Sequence, residues 1–422
     1  MDFERDKMNY DKLLDFAVEL SARLQKSGAE TYRVEETISR ILTAYGTEAE
    51  ASVIPNNINA TCKSPDGQYH TIVRRIHSCD TLLDGIEKYS ALSREICAKT
   101  PELDEAWDML NATTASIRRY NWFFTFLGYF LIGFGFGFFF SGTLMDSIIA
   151  GIAGIAVGLC QRFMNNLHAN TFFTTLICGF VLAFISHCSA HLGICRNADI
   201  ASIGAIMILV PGFLFTNSIR DIIYGDTMSG VNRLIQVLII AAALVVGTSV
   251  AVSLARLIFG SVEPAARLVS YPVIFQCIAG CIGALGFCLL FNIHGHGIPL
   301  CLIGAFFSWL VYCICAHYGT SEYLCYFFAA AFSSLYAEIM ARIRKYPATS
   351  YLMASLVPLI PGSGVYYTVN AVANGDVSLF WEKGVSTVAI AGAMALAILL
   401  ISTLFRMWKV YIARRMSRAK NK

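Results

Sequence analysis

Two stretches of the chain, 150 positions apart, interrupt an apolar run with the same residues: "LVPGFLFTNSIRDIIYGD" from Leu209 to Asp226 and "LIPGSGVYYTVNAVANGD" from Leu359 to Asp376. Each has Pro-Gly at its head and Gly-Asp at its tail, with 12 residues between. Proline has no N–H, so Pro211 leaves the Met207 carbonyl without its helical partner, and Pro358 and Pro361 do the same to Ala354 and Val357. In hydrocarbon such free groups are tolerated only where protein or a watery cavity satisfies them. Broken ends then supply acceptors for an ammonium and a positive dipole for a carboxylate, which suits non-covalent recognition of a small zwitterion. On this reading Pro211, Gly212, Pro361 and Gly362 open the cavity, and Thr216, Asn217, Ser218 and Ser363 read the substrate's polar groups. A kink that only shapes packing is the plain reading of one break; two at equivalent positions favour a site.

Depth sorts the neighbouring charges. At 1.5 Å rise per residue Asn217 stands roughly 9 Å from the Pro211 level, Arg220 roughly 14 Å and Asp226 roughly 22 Å, against a hydrocarbon half-thickness of about 15 Å. Asn217 is therefore a cavity residue, Arg220 and Asp221 are interfacial, and Asp226 and Asp376 are loop caps. Proton coupling needs an acid inside the membrane, where burial raises a carboxyl pKa. Glu338 is the best placed, with Arg342 one helical turn away, although an inner-face salt bridge explains the pair equally well. Glu338, Arg342, Arg220 and Asp221 are the candidates for coupling or gating, while Asp146 and Asp199 fall at outer span ends.

Other chemistry finds little support. His187, Cys188, His191 and Cys195 in "HCSAHLGIC" match no known ligand pattern, and no C-x-x-C, G-x-S-x-G or H-E-x-x-H occurs. Arg74, Arg75 and His77 can bind an anion but read better as a solvated strand face. His294 and His296 flank a turn glycine. The expectation is a protein without cofactor, metal, catalytic residues or nucleic-acid partner.

The elements that position the two breaks follow from composition. With 56% hydrophobic and only 14% charged residues, most of the chain has lipid as its solvent. Residues 1–117 mix acids and bases like a soluble domain. The start, "MDFERDKMNYDK", is too charged for a secretory signal core. Beyond it lie ten apolar spans, centred near Leu131, Gly154, Phe180, Leu209, Val245, Cys281, Phe307, Ala331, Leu359 and Ala395. The last five centres repeat the first five at an offset of 150 to 153 residues. Because five is odd, the copies enter from opposite sides, giving an inverted repeat. Lys and Arg in the short loops place both termini inside: Arg162, Arg220, Arg233, Arg342, Arg344 and Lys345 on the inner side, and Arg196, Arg256, Arg267 and Lys383 on the outer.

Within the soluble part, Asp11 caps a helix ended by Gly28, and a second helix follows from Thr31 with Val34, Ile38, Ile41 and Leu42 on one face. "EASVIPNNINATCK" and "QYHTIVRRIHS" read as two strands joined at "SPDG", followed by helical stretches from Thr81 to Lys99 and Pro101 to Thr114.

Four stretches, "SGAETYRVEETISRI" at 27–41, "LVPGFLFTNSIRDIIYGDTMSGVNRL" at 209–234, "AEIMARIRKYPAT" at 337–349 and "LVPLIPGSGVYY" at 356–367, resemble the threonine/serine exporter family of bacterial membrane proteins. The resemblance covers nearly the whole chain and implies the family's fused form, a soluble segment followed by ten spans. It also implies export of small polar metabolites driven by the proton motive force: classically L-threonine and L-serine, in some two-subunit members dicarboxylates such as succinate.

The expected fold is thus an all-α polytopic membrane protein of about ten transmembrane helices in a 5+5 inverted repeat, with a small N-terminal α+β domain. The expected segments are 1–117, 118–260, 261–408 and a basic cytoplasmic tail 409–422. The expected function is proton antiport of L-threonine or L-serine out of the cell across the cytoplasmic membrane, with a homo-oligomer as a further expectation. The scarcity of buried cations favours a zwitterion over a dicarboxylate. A channel-like pore and a membrane-anchored sensor remain as alternatives. An aspartyl enzyme built on Asp226 and Asp376 is excluded by inversion, which puts them on opposite sides.

Overall fold

The computed structural model describes residues 9–77, 81–260, 269–344, 348–373 and 375–420, so Arg267, Lys345, Asn421 and Lys422 lie outside the described residues. The chain divides into two units, Met1–Tyr120 with Phe291–His294, and Asn121–Leu290 with Gly295–Lys422.

In the first unit, α1 (Tyr10–Lys26) is capped by Asn9, whose side chain accepts from Lys12 N at 3.0 Å. Asp11 therefore sits inside the first turn rather than capping it, and its carboxylate meets His70 Nδ1 at 2.7 Å. Helix α2 (Thr31–Ala44) buries Val34, Ile38, Ile41 and Leu42 on one face. The stretch expected to form one strand forms two, β1 (Glu48–Ile54) and β2 (Asn57–Lys63), because Pro55 and Asn56 turn the chain so that Ile54 pairs with Asn57. Strand β3 (Tyr69–Arg75) completes an antiparallel sheet in the order β1-β2-β3. Arg74 is engaged by Asp15 and Glu19, each at 2.8 Å, so its charge is not left for an anion. Helices α3 (Leu83–Lys99) and α4 (Leu103–Ser116) close the unit.

The second unit contains α5 (Trp122–Phe139), α6 (Leu144–Asn166), α7 (Thr171–His191), α8 (Ala198–Ile206), α9 (Gly212–Tyr224) and α10 (Thr227–Phe259). The same series then recurs as α11 (Val273–Leu290), α12 (Gly297–His317), α13 (Glu322–Arg344), α14 (Ala348–Leu356), α15 (Gly362–Ala373) and α16 (Val377–Lys420), with a 3-10 turn Val357–Leu359 after α14. Eight of these are long and apolar enough to cross a membrane, namely α5, α6, α7, α10, α11, α12, α13 and α16. The fourth and ninth spans are the broken pairs α8–α9 and α14–α15. Their pieces, and the helices that follow them, begin 150 residues apart: Ala198 and Ala348, Gly212 and Gly362, Thr227 and Val377.

Two sets of contacts show that the copies are inverted. The start of α5 lies where α11 ends, since Tyr120 N donates to Asn292 Oδ1 at 2.8 Å and the Tyr120 ring stacks on His294 at 4.2 Å. Along the α5–α11 seam, Gly128 meets Gly286 while Gly135 meets Ala279 and Gly283, so the two helices run antiparallel. These helices begin 151 residues apart, which makes Gly135 the counterpart of Gly286 and Ile132 that of Gly283. The contact of Gly135 with Gly283 and that of Gly286 with Ile132 are then one contact made twice, as a two-fold axis requires. Phe136 and Phe287 are counterparts of each other and touch, with ring centroids 6.4 Å apart.

Candidate functional site

The two breaks meet each other. A Cβ built on Gly212 would lie 1.8 Å from Ile360 Cγ2, and one on Gly362 would lie 3.3 Å from Val210 Cγ1 and 2.9 Å from Met207 Sδ. Val210 and Ile360 are equivalent positions, so this too is one contact seen from both halves. Beside it a single apolar cluster holds the equivalent pairs Phe215 with Val365 and Ala241 with Ala391. The structure therefore brings Pro211, Gly212, Pro361 and Gly362 together.

The two breaks differ in how their backbone is satisfied. At the first, the N–H groups of Leu209 and Val210 both turn back onto the Ile206 carbonyl, at 2.8 and 3.0 Å, and the helix resumes with Phe215 N donating to Pro211 O at 2.9 Å. The carbonyls of Met207, Ile208, Leu209 and Val210 accept no hydrogen bond among the described residues. At the second break Ile360 N reaches the Val357 carbonyl at 3.4 Å, and Ser308 Oγ donates to the Ser355 carbonyl at 2.8 Å. Four consecutive acceptors thus stand open in one half only.

The side chains that follow the first break are buried. Thr216 donates to Gly212 O at 3.2 Å and Ser218 to Phe215 O at 2.7 Å, so both hydroxyls have given their proton to their own helix. Asn217 is 6% exposed and its amide makes no hydrogen bond among the described residues. Ser363, half-buried at the start of α15, makes none either. The Gly-Asp tails end this region: Gly225 and Gly375 have φ of 103° and 72°, the left-handed conformation that stops a helix, and Asp376 accepts from Leu379 N at 2.9 Å.

Arg220 and Asp221 are not at an open interface as depth alone suggests; each is 8% exposed, shielded by neighbouring helices. Asp221 lies between Arg220 Nη2 at 3.4 Å and Arg233 Nη1 at 2.9 Å. Arg233 belongs to the second turn of α10, not to a loop, because that helix extends 33 residues and starts well before its apolar stretch. Two guanidiniums are thereby nearly buried, which removes the scarcity of cations as an argument for a zwitterion. A solvated loop and a buried helix end look alike when only charge and spacing are visible.

Glu338 stands apart from this group. It pairs with Arg342 at 2.7 Å, and the Arg342 guanidinium lies 4.1 Å from the centre of the Phe405 ring on α16. Among the described residues no group of three metal-ligating side chains comes together, and His187 approaches Asp199 only to 4.0 Å. A shallow groove along Ser249, Ser253 and Leu257 of α10 is apolar and offers no converging polar groups.

One acid does more than its sequence context signals. Asp146 is 1% exposed and accepts from Thr143 N and Oγ1, both at 2.8 Å, from Arg196 N at 2.7 Å and from Asn197 N at 3.0 Å. It ties the start of α6 to the residues leading into α8. Truncating it leaves buried N–H donors unpaired, so Asp146→Ala is expected to lower stability by about 3–5 kcal/mol, read as a lower melting temperature of the solubilised protein. Asp146→Asn, which keeps two lone pairs for those donors, should lose less.

Comparison with known proteins follows the same division. The family model described as "Putative threonine/serine exporter" matches residues 15–255, more than half of the chain, and one described as "Threonine/Serine exporter, ThrE" matches residues 265–404. The chain belongs to the threonine/serine exporter family. Two models meeting end to end on one polypeptide make it the fused form. It is similar to the threonine/serine exporter of Corynebacterium glutamicum, 20% identical over 424 residues covering 96% of this chain and 83% of that protein. It is also similar to the probable threonine/serine exporter of Mycobacterium tuberculosis, 20% identical over 405 residues covering 93% and 75%. No solved structure matches. The first model of this exporter family spans most of the soluble unit and the helices up to α10, and the second spans α11 to α15 and part of α16.

Proposed function

We propose that this protein is a secondary active exporter of L-threonine and L-serine, working by proton antiport across the cytoplasmic membrane with both termini inside. The observation that carries the reading is the meeting of two broken helices on a pseudo-two-fold axis, one of which presents open carbonyls and a buried, unbonded amide. Carbonyls 207–210 supply acceptors to a substrate ammonium. Asn217, about 9 Å further along α9 at 1.5 Å per residue, supplies a donor to the other end. Two hydrogen bonds of about 2.9 Å with a small α-amino acid between them fill that interval. Thr216, Ser218 and Ser363 line the same region and offer lone pairs to a side-chain hydroxyl. Glu338 carries the coupled proton, and Arg342, which stays protonated, is its counter-charge.

The name of the family and of both relatives supports amino-acid export. A dicarboxylate is the second reading, and the buried Arg220 and Arg233 favour it. Reconstituted vesicles loaded with amino acids and dicarboxylates under an imposed pH gradient test the proposal. In antiport the substrate moves toward the acidic side, with a rate that saturates in substrate. A panel in which no member responds to the gradient sinks the coupled-carrier reading, and flux that never saturates would instead indicate a pore.

A further inference from the structure

The buried charges of α9 and α10 are poorly hydrogen-bonded. Arg220, Asp221 and Arg233 have side chains only 10%, 11% and 12% exposed, and two cations share one anion. A buried ion pair repays its desolvation only with excellent geometry and full hydrogen bonding, and neither condition holds. The 2.9 Å approach of Arg233 to Asp221 Oδ2 is an ion pair by distance, yet that oxygen receives no aligned hydrogen bond. Arg220 has five N–H donors, and its one hydrogen bond among the described residues is the 3.4 Å contact to Asp221. A network that served only to pack α9 on α10 would have little reason to hold a second guanidinium with most of its donors idle.

Asn217 lies three residues before Arg220 on the same helix, so the two side chains are neighbours on one face. One is an amide, 6% exposed, with no hydrogen bond; the other is a guanidinium, 8% exposed, with one long bond. From this pair we infer that Asn217 and Arg220 form a carboxylate subsite, in which the planar guanidinium and the amide N–H hold one carboxylate of the exported metabolite. Arg233 neutralises Asp221, and Asp221 steadies Arg220 without cancelling it. The equivalent positions in the other half are Tyr367 and Asn370, with Ala371 in place of Asp221, so the subsite exists in the first half alone. This assignment rests on the transport reading above and makes it specific: the feature selected is a free carboxylate, and the ammonium end faces the open carbonyls at the break.

The test is ligand-induced thermal stabilisation of the purified full-length chain in detergent. L-Threonine, L-serine and succinate are compared with L-threoninamide, L-serinamide and succinamide. The wild type should respond to at least one carboxylate at a concentration lower by about tenfold or more than to its amide, the discrimination a charge-assisted hydrogen bond supplies. Arg220→Gln should lose that preference, and Arg220→Lys should keep only part of it. A wild type that treats acid and amide alike overturns the subsite. So does a folded R220Q that keeps the preference, or, where R220Q is not obtained folded, an R220K that keeps it in full. If an Arg220-dependent preference is present but no panel member is transported, the subsite stands and the exporter reading fails, so the two failures are separable.

Discussion

Asn217→Ala is expected to reduce export at least tenfold while leaving the protein about as stable as before. In most buried positions removing a hydrogen-bonding group destabilises, because its partner is left unsatisfied. Asn217 has no partner among the described residues, so the alanine variant forfeits no intramolecular hydrogen bond in the folded state. Its only structural cost is the small void left behind. On the proposed function the same amide holds the substrate, and losing a hydrogen bond to a charged group costs about 1.5–3 kcal/mol, a factor of ten or more in affinity. A loss of activity without a loss of stability marks a group kept for function. The measurements are initial export rate against substrate concentration and the melting temperature of the same preparation. A variant that melts lower and transports normally would make Asn217 a packing residue.

The second large effect is structural. A Cβ at Gly135 would lie 2.4 Å from the Gly283 nitrogen and 2.9 Å from the Ala279 carbonyl, so Gly135→Val drives a branched side chain into the backbone of the opposing helix. Overpacking ordinarily costs about 1–3 kcal/mol because side chains yield, and here backbone faces backbone, so the cost should exceed that range. In the membrane, helices associate through close packing of small residues, not through hydrophobic burial, which leaves the α5–α11 seam little to fall back on. The expected outcome is loss of monodisperse protein on size exclusion. Gly392→Val makes the control, since a Cβ there meets nothing within 4 Å; it should behave as wild type. Equal behaviour of the two variants would contradict the tight seam.

The breaks and the repeat were legible because both are written locally. Pro-Gly interrupts a helix wherever it falls, and a 150-residue offset can be read from span centres and motif alone. The pieces of the broken helices begin at that same offset, Ala198 with Ala348 and Gly212 with Gly362. What escaped depends on residues far apart in the chain. The cap at Asn9 in place of Asp11 turns on a choice between neighbouring side chains, and the turn at Pro55–Asn56 on a pairing register. Asp146 looked like a span-end acid, because nothing nearby in sequence announces the Arg196 and Asn197 N–H groups it receives. Arg233 looked like a loop cation for the same reason: its burial comes from α10 starting at Thr227 and returning alongside α9. The breaks were therefore visible in the sequence, and the burial of the charges that follow them was not.

The contact of Gly212 with Ile360 and of Gly362 with Val210 has a geometrical implication for the transport cycle. Two aliphatic side chains seat on two glycines across the pseudo-two-fold axis and seal the axis in this conformer. The first half holds its four carbonyls open, whereas in the second half two of the four counterparts, Val357 and Ile360, accept hydrogen bonds at 3.4 and 2.7 Å, so the halves differ in local backbone conformation. On the proposed exporter reading, giving each half the other's backbone generates an arrangement that faces the opposite side of the bilayer. On that reading the longer run of open carbonyls passes from the first half to the second.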